Sequence, residues 1–144
     1  MLWGVHLGKD AAMELLRDVA ISHLLTIDPT ASLRKVSRSM IDRGVGAAVV
    51  VGAEKVVGII TERDILRAVA EEQDLDDHTV EDVMTRDVVS GTPGWDLVKA
   101  AQTMAEGGFR HLLVMEMGEP VGIVSLRDLM RAMAALLQAQ DAST

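Results

Sequence analysis

The sequence predicts a mixed α/β (α+β) fold built twice, each copy running strand, helix, strand, strand, helix. Three observations predict it. First, Val57-Gly58-Ile59-Ile60-Thr61-Glu62-Arg63-Asp64 returns 64 positions later as Val121-Gly122-Ile123-Val124-Ser125-Leu126-Arg127-Asp128. A fixed period of that length marks two copies of one supersecondary unit. Second, the register holds without a gap outside the block: Asp18/Asp82, Pro29/Pro93, Leu33/Leu97, Met40/Met104 and Gly44/Gly108 all match. Third, apolar residues alternate between short continuous runs and helical spacing inside each copy.

Each copy opens with an extended stretch, 24–28 and 88–92, that reaches a proline. Proline lacks an amide donor and holds its predecessor extended, so the strand stops there. Helices follow over 32–43 and 96–106, with Ser32 and Asp96 as N-caps and Gly44 and Gly107-Gly108 as stops. Leu33, Val36, Met40 and Ile41 share one helical face, as do Leu97, Ala100, Ala101 and Met104. Two apolar strands come next in each copy, 47–51 with 56–60 and 112–115 with 121–124. Their links, Gly52-Ala53-Glu54-Lys55 and Glu116-Met117-Gly118-Glu119, read as hairpin turns. A second helix closes each copy, over about 62–72 and 126–139. A short leading helix is expected over 9–20, with Asp10 as cap and Met13 and Leu16 as anchors. The organisation is a leading segment 1–17, a repeat 18–72, an acidic linker 73–79, a second repeat 80–137 and a frayed tail 138–144.

Composition bounds the function. The chain has 144 residues, is 49% hydrophobic and has a mean hydropathy of +0.22, enough for a packed core and against wholesale disorder. A net charge of −8 argues against a general nucleic-acid binder, which needs a basic surface. Without cysteine there is no disulfide framework, thiolate metal site or cysteine nucleophile. Residues 1–8 are too short and too poor in basic residues for a secretory signal. No apolar run approaches the roughly 18 residues of a membrane span. These features suggest a soluble, cytoplasmic protein with no membrane partner.

Catalytic and metal signatures are weak. His6, His23, His78 and His111 are scattered without metal-ligand spacing. There is no nucleophile elbow and no Walker loop, and Glu14, Glu62 and Glu106 read as helix surface. Glu71-Glu72-Gln73-Asp74-Leu75-Asp76-Asp77-His78 is acidic, yet it lacks the glycine turn and terminal glutamate of a calcium loop. It reads as a solvated linker. No enzymatic activity and no metal are expected.

The polar signature kept in both copies is Gly-x-x-Thr/Ser-x-Arg-Asp. Thr61 and Ser125 fall at the end of a buried strand, with Asp64 and Asp128 in the first helical turn. Two readings stand. A hydroxyl three places before an acid resembles a capping box. Alternatively, Gly58 and Gly122 let something approach the backbone, and the like-charged pairs Arg63/Arg67 and Arg127/Arg131 invite an anion. Arg67 can be relieved by Glu71, whereas Arg131 faces Ala135. A carboxylate with a hydroxyl on one side and guanidinium on the other suits a ribose and its phosphate.

The double Gly-Ile-Ile/Val-Thr/Ser-x-Arg-Asp block, Val83-Met84-Thr85 opening the second copy, and the proline–helix–glycine spacing closely resemble the tandem cystathionine-beta-synthase (CBS) domain pair, or Bateman module. The resemblance covers roughly residues 18–135 of what reads as a stand-alone module. It implies two copies packed through their sheets about a pseudo-twofold axis, with clefts between them that hold an adenine nucleotide. On that pattern Asp64 and Asp128 bind ribose hydroxyls, and Thr61 and Ser125 lie near sugar and phosphate. Arg63 and Arg127 flank them. Thr26-Ile27-Asp28 and Ser90-Gly91-Thr92 offer backbone groups to the base, and Ile27, Ile60 and Val124 sandwich the purine. Arg110 and His111, standing where the first copy has Gly46 and Ala47, are phosphate candidates, with a packed strand histidine as the other reading of His111. Arg86 points either inward or to the surface.

The resemblance therefore implies a regulatory energy-sensing module that binds AMP, ADP or ATP and transmits occupancy to a regulated protein that the sequence does not name. An S-adenosylmethionine sensor leaves the basic groups unused, and a ligand-free interaction module reduces the signature to capping. The last helix, with Leu129, Met130, Met133, Leu136 and Leu137, is apolar on more than one face. It predicts a homodimer, unless the leading helix covers that surface.

Overall fold

The computed structural model describes residues 14–142. In chain order the elements are α1 (Leu16–Val19), β1 (Thr26–Ile27), α2 (Leu33–Arg43), β2 (Ala47–Gly52), β3 (Lys55–Thr61), α3 (Glu62–Ala70), α4 (Val80–Val83), β4 (Ser90–Gly91), α5 (Leu97–Gly107), β5 (His111–Glu116), β6 (Glu119–Ser125) and α6 (Leu126–Ala142). They form two compact units. The first is His23–Val88, and the second joins the chain from Val89 onward to the segment ending at Ser22.

In the first unit a three-stranded sheet runs in the order β1-β2-β3, with β1 parallel and β3 antiparallel to β2. The second unit repeats this with β4-β5-β6. The hairpins turn through Ala53 (φ 52) and Glu54 (φ 65), and through Met117 (φ 53) and Gly118 (φ 81). Two successive left-handed residues give a tight turn whose twist matches that of the strands. One extra residue in β3 and in β6 shifts the register, between Val50 and Val51 and between Val114 and Met115. Pro120 sits beside the second irregularity, on an edge strand where its missing amide is tolerated.

The helices form as the spacing predicts. Ser32 Oγ accepts from Lys35 N at 3.0 Å and Asp96 Oδ1 from Lys99 N at 2.8 Å, so both N-caps hold. Gly44 (φ 65) and Gly108 (φ 69) end α2 and α5 in the left-handed conformation. One core packs Leu33, Val36 and Met40 of α2 on Ile27, Ala48, Val50 and Ile60, closed by Ala68, Val80 and Met84. The other packs Leu97, Ala100 and Met104 of α5 on Leu112, Val114 and Val124, closed by Leu16 and Leu129.

Several expectations change. Ile41, placed on the apolar face of α2, is 82% exposed. The helix is narrower than its apolar pattern because Leu33, Val36 and Met40 already fill the space over the sheet. The leading helix is only the turn α1 among the described residues, and Lys9 to Met13, with Trp3 and His6, lie outside them. Helix α6 continues to Ala142 instead of ending near 139, because Ala and Gln carry no stop signal. The turn α4 was not anticipated. It starts where Asp82 Oδ2 accepts from Thr79 N at 2.9 Å.

The acidic stretch exposes most of its side chains, but its backbone is tied to α2. His78 and Leu75 carbonyls accept from Leu33 N and Arg34 N at 3.0 and 2.9 Å, satisfying amides that have no partner inside the helix. Asp76 Oδ1 meets Arg34 Nε at 2.6 Å, and that hydrogen bond raises the Arg34 pKa.

Candidate functional site

In each unit the site grows from a strand end that becomes a helix start. At the open end of the first sheet Ala47 stands opposite Thr61, and Glu62 N donates to Gly46 O at 3.0 Å. In the second, His111 stands opposite Ser125, and Leu126 N donates to Arg110 O at 2.8 Å. Directly opposed residues of an antiparallel pair share one face of the sheet. His111 and Ser125 therefore lie together, with Arg110 beside the first residue of α6.

The hydroxyl–acid pairs close onto each other. Asp64 Oδ2 accepts from Thr61 N at 2.8 Å and from Thr61 Oγ1 at 3.1 Å. Asp128 Oδ2 accepts from Ser125 N at 3.3 Å and from Ser125 Oγ at 2.7 Å, while Asp128 N donates back to Ser125 Oγ at 3.1 Å. The capping reading is thus satisfied in both copies. It does not use up the carboxylates, which can accept at both oxygens.

The second oxygens differ. Asp64 is buried, and its Oδ1 faces Arg67 Nη1 at 3.5 Å. Arg67 therefore turns back to Asp64, and not to Glu71 as its spacing suggested; Glu71 Oε2 accepts from Gln73 Nε2 instead. Asp128 Oδ1 takes no such partner among the described residues, and Arg131 is exposed. Arg63, Arg110 and Arg127 are exposed as well. His111 is half-buried.

Other candidates fall elsewhere. Thr26 and Ile27 pair with Val49 and Val50, and Ser90 and Gly91 with Leu113 and Val114, so this register runs away from the Ala47–Thr61 and His111–Ser125 rows. Asp28 and Thr92 consequently lie toward the hairpin ends of their own sheets, at the other end of the strands from Thr61 and Ser125. Asp28 Oδ1 accepts from the Thr30 hydroxyl and amide, which hold its carboxyl below the usual range. Ile27 is buried in the first core. Arg86 is exposed and donates from Nη2 to Glu81 O at 3.1 Å, at the end of α4.

What approaches Gly58 and Gly122 is the chain itself. A Cβ on Gly58 would stand 2.6 Å from Met84 Sδ and 2.8 Å from Thr85 O. On Gly122 it would stand 3.0 Å from Ala20 Cβ. These glycines admit the segments that pair with β3 and β6, at Ile59–Thr85 and Ile21–Ile123. Sequence reasoning also passed over Trp95, which lies against Gly91 with Lys99 Nζ 4.3 Å from its ring centroid. The signal was present: Gly91 and Trp95 stand where the first copy has Ile27 and Ala31.

Among the described residues no helix is long and apolar enough to cross a membrane, and no three His, Asp or Glu side chains gather to hold a metal ion.

Known proteins resemble this chain in sequence and in fold. The CBS-domain family model matches residues 16–71 and 80–135. Protein MJ1225 of Methanocaldococcus jannaschii, itself uncharacterised, is 32% identical over 126 residues, which cover 87% of this chain and 45% of that protein. The chain thus spans less than half of that relative. The CBS domain protein PAE2072 from Pyrobaculum aerophilum, solved with AMP, is 30% identical with a TM-score of 0.77, over 86% of this chain and 96% of that one. The CBS domain pair of protein MJ0100, solved with 5′-methylthioadenosine and S-adenosyl-L-methionine, is 25% identical with a TM-score of 0.77, over 85% and 98%. With one match on each repeat and the same hydroxyl–acid pair at the start of α3 and α6, the chain belongs to the CBS-domain family as a tandem pair.

Proposed function

We propose that the chain is a regulatory module that binds an adenine nucleotide, AMP, ADP or ATP, at the sites around Asp64 and Asp128 and passes occupancy to a partner protein. The observation that carries the reading is the recurrence, in both units, of a hydroxyl, a carboxylate and arginines at the same strand-to-helix junction. The AMP complex of a similar CBS protein supports it. The carboxylate oxygen not engaged by the cap accepts from ribose hydroxyls, and the exposed arginines meet phosphate. Regulation requires only that the ligand bind two arrangements of the protein unequally. The reading contains no catalytic step.

Thermal melting of nucleotide-free protein with AMP, ADP, ATP and S-adenosylmethionine tests it. At about one hundred times the dissociation constant a native-state ligand adds about 2.7 kcal/mol. A shift with at least one nucleotide is expected. No shift with any of the four reduces both junctions to helix caps.

A second reading, an S-adenosylmethionine or methylthioadenosine sensor, draws on the MJ0100 complex and is separated from the first by the same melts.

The module also acts as a homodimer on this reading. Leu66 and Val69 on α3 stay exposed, as do Met130 and Leu137 on α6, and Leu66 and Met130 occupy equivalent places in the two copies. Helix α6 buries Leu129 and packs Met133 and Leu136 on its own core with Leu16 of α1, which leaves Met130 and Leu137 uncovered. Sedimentation of Leu66→Asp and Met130→Asp proteins should report monomers. Dimers unaffected by both changes would place the contact elsewhere.

A further inference from the structure

We infer that the outer face of α2 is a docking surface for an acidic segment of a protein partner, with Ile41 as its apolar anchor and Lys35 and Arg38 as its cations. The surface stands on charge and exposure alone, and it holds whether or not the strand-to-helix junctions bind adenosine compounds.

Helix α2 needs only part of its sequence to fold. Leu33, Val36 and Met40 fill the core, and they recur in kind as Leu97, Ala100 and Met104 of α5. The outer positions do not recur. Arg34, Arg38, Ile41 and Arg43 stand where α5 carries Val98, Gln102, Ala105 and Gly107. Helix α2 thus holds four cations, Arg34, Lys35, Arg38 and Arg43, against one carboxylate, Asp42. In α5 a single Lys99 balances a single Glu106. The local excess stands out in a chain of net charge −8.

Helical geometry gathers these side chains. Arg34, Arg38 and Ile41 follow one another at four and three residues, which makes one stripe on the solvent side, bordered by Lys35 and Asp42. All five are exposed, Ile41 by 82%. The stripe does not serve the helix itself. Arg34/Arg38 and Lys35/Arg38 set like charges one turn apart, and Arg34 and Lys35 stand in the first turn, where the helix dipole disfavours cations. Asp76 relieves Arg34 at 2.6 Å, Arg43 Nη2 donates to His23 O at 3.3 Å, and Lys35 acts on Asp28 over a longer distance. Arg38 has no ion pair among the described residues, although Asp42 lies one turn on. In α5, by contrast, Lys99 rests over Trp95 with Nζ 4.3 Å from the ring centroid.

An exposed isoleucine beside an unpaired arginine fits a ligand that is both acidic and apolar. Nucleic acid would meet the cations through its phosphates but leave Ile41 in water. A peptide segment with Asp or Glu flanking an apolar side chain meets both needs. Its carboxylates face Arg38 and Lys35, and its apolar side chain covers Ile41.

Fluorescence anisotropy on the full chain tests this with a labelled peptide of repeated Glu-Leu-Glu-Glu. The comparison ligands are the same peptide with Gln for every Glu, the same peptide with Ala for every Leu, and labelled oligothymidylate. The Glu-Leu peptide should bind most tightly, and its affinity should fall as salt rises. Lys35→Gln and Arg38→Gln should each weaken it about two- to fivefold, the span of a surface ion pair. Ile41→Ser should weaken it about tenfold, and Gln102→Ala on α5 should leave it unchanged. The four substituted side chains are exposed, so melting temperature provides the folding control. No binding of the Glu-Leu peptide at low salt, or binding that survives both Arg38→Gln and Ile41→Ser, overturns the inference. A loss confined to the charge variants shows general charge attraction and overturns the anchor. Tighter binding of oligothymidylate, weakened in Arg38→Gln and kept in Ile41→Ser, assigns the face to nucleic acid and likewise overturns it.

Discussion

Ile21 and Ile123 exchange two backbone hydrogen bonds, Ile21 N to Ile123 O at 2.9 Å and Ile123 N to Ile21 O at 3.0 Å. Thr85 and Ile59, each found at the matching place in the other copy, do the same at 2.9 and 3.0 Å. The segment leading into each repeat thus pairs with the third strand of the other repeat. That exchange is why the compact units begin at His23 and Val89, after the leading segments of the repeats.

The close approach explains the glycines and predicts their cost. Gly58→Ala sets a methyl against Thr85 O, which is backbone and cannot move alone. Gly122→Ala meets mainly the Ala20 Cβ at 3.0 Å. Overpacking of this kind costs about 1–3 kcal/mol. Denaturant unfolding should show a larger loss for Gly58→Ala than for Gly122→Ala. The reverse order would show that the segment ending at Thr85 yields more easily than the one ending at Ile21.

Gly91 and Trp95 exchange volume with Ile27 and Ala31 of the first copy. A Cβ on Gly91 would stand 2.9 Å from Trp95 Cε3. Gly91→Ile should therefore destabilise the chain strongly, and Trp95→Ala, at a half-buried site, by less than the about 3–5 kcal/mol of a fully buried aromatic. The double variant should recover part of the loss. Strictly additive losses in a double-mutant cycle would show that the two sites do not share this space.

The first hairpin carries Ala53 and Glu54 at φ 52 and 65, a conformation that suits Asn and Gly better. Ala53→Asn with Glu54→Gly should raise stability by about 1 kcal/mol, readable as a higher melting temperature. Met117 and Gly118 already approximate the favoured pattern, so Gly118→Ala should lower it.

Acid should destabilise the first unit through named carboxylates. Asp74 is held below its ordinary pKa by the Asp76 and Asp77 amides, and Asp82 by the Thr79 amide. Each titrates lower when folded, so its contribution is full above the ordinary value of about 3.9. That contribution is lost as pH falls through the folded value. Melting temperature should hold from pH 7 to about 5 and fall below about 4. Asp82→Asn should flatten that fall. An acid limb unchanged in Asp82→Asn and Asp74→Asn would assign it to other groups.

Much of this was legible in the residues. Ser32, Asp96, Gly44 and Gly108 set helix ends by local chemistry, and a side chain that caps its own backbone needs no distant partner. The repeat gave the same succession of strand, helix, strand, strand, helix along each copy, because one pattern recurs at one offset. The hydroxyl–acid pairing at Thr61/Asp64 and Ser125/Asp128 was legible for the same reason: its members lie three residues apart. Three-dimensional packing decided the rest. Only the sheets' register places Asp28 and Thr92 at the other end of their own sheets from Thr61 and Ser125. Filling of the core by three residues of α2 leaves Ile41 in solvent. The neighbours of Gly58 and Gly122 come from segments far along the chain. The choice of Arg67 for Asp64 over Glu71 is likewise tertiary, since both partners lie within reach on one helix and only the folded surroundings favour one. Sequence determines what each residue can do over a few positions; which distant groups it meets is set when the sheet pairs and the core closes.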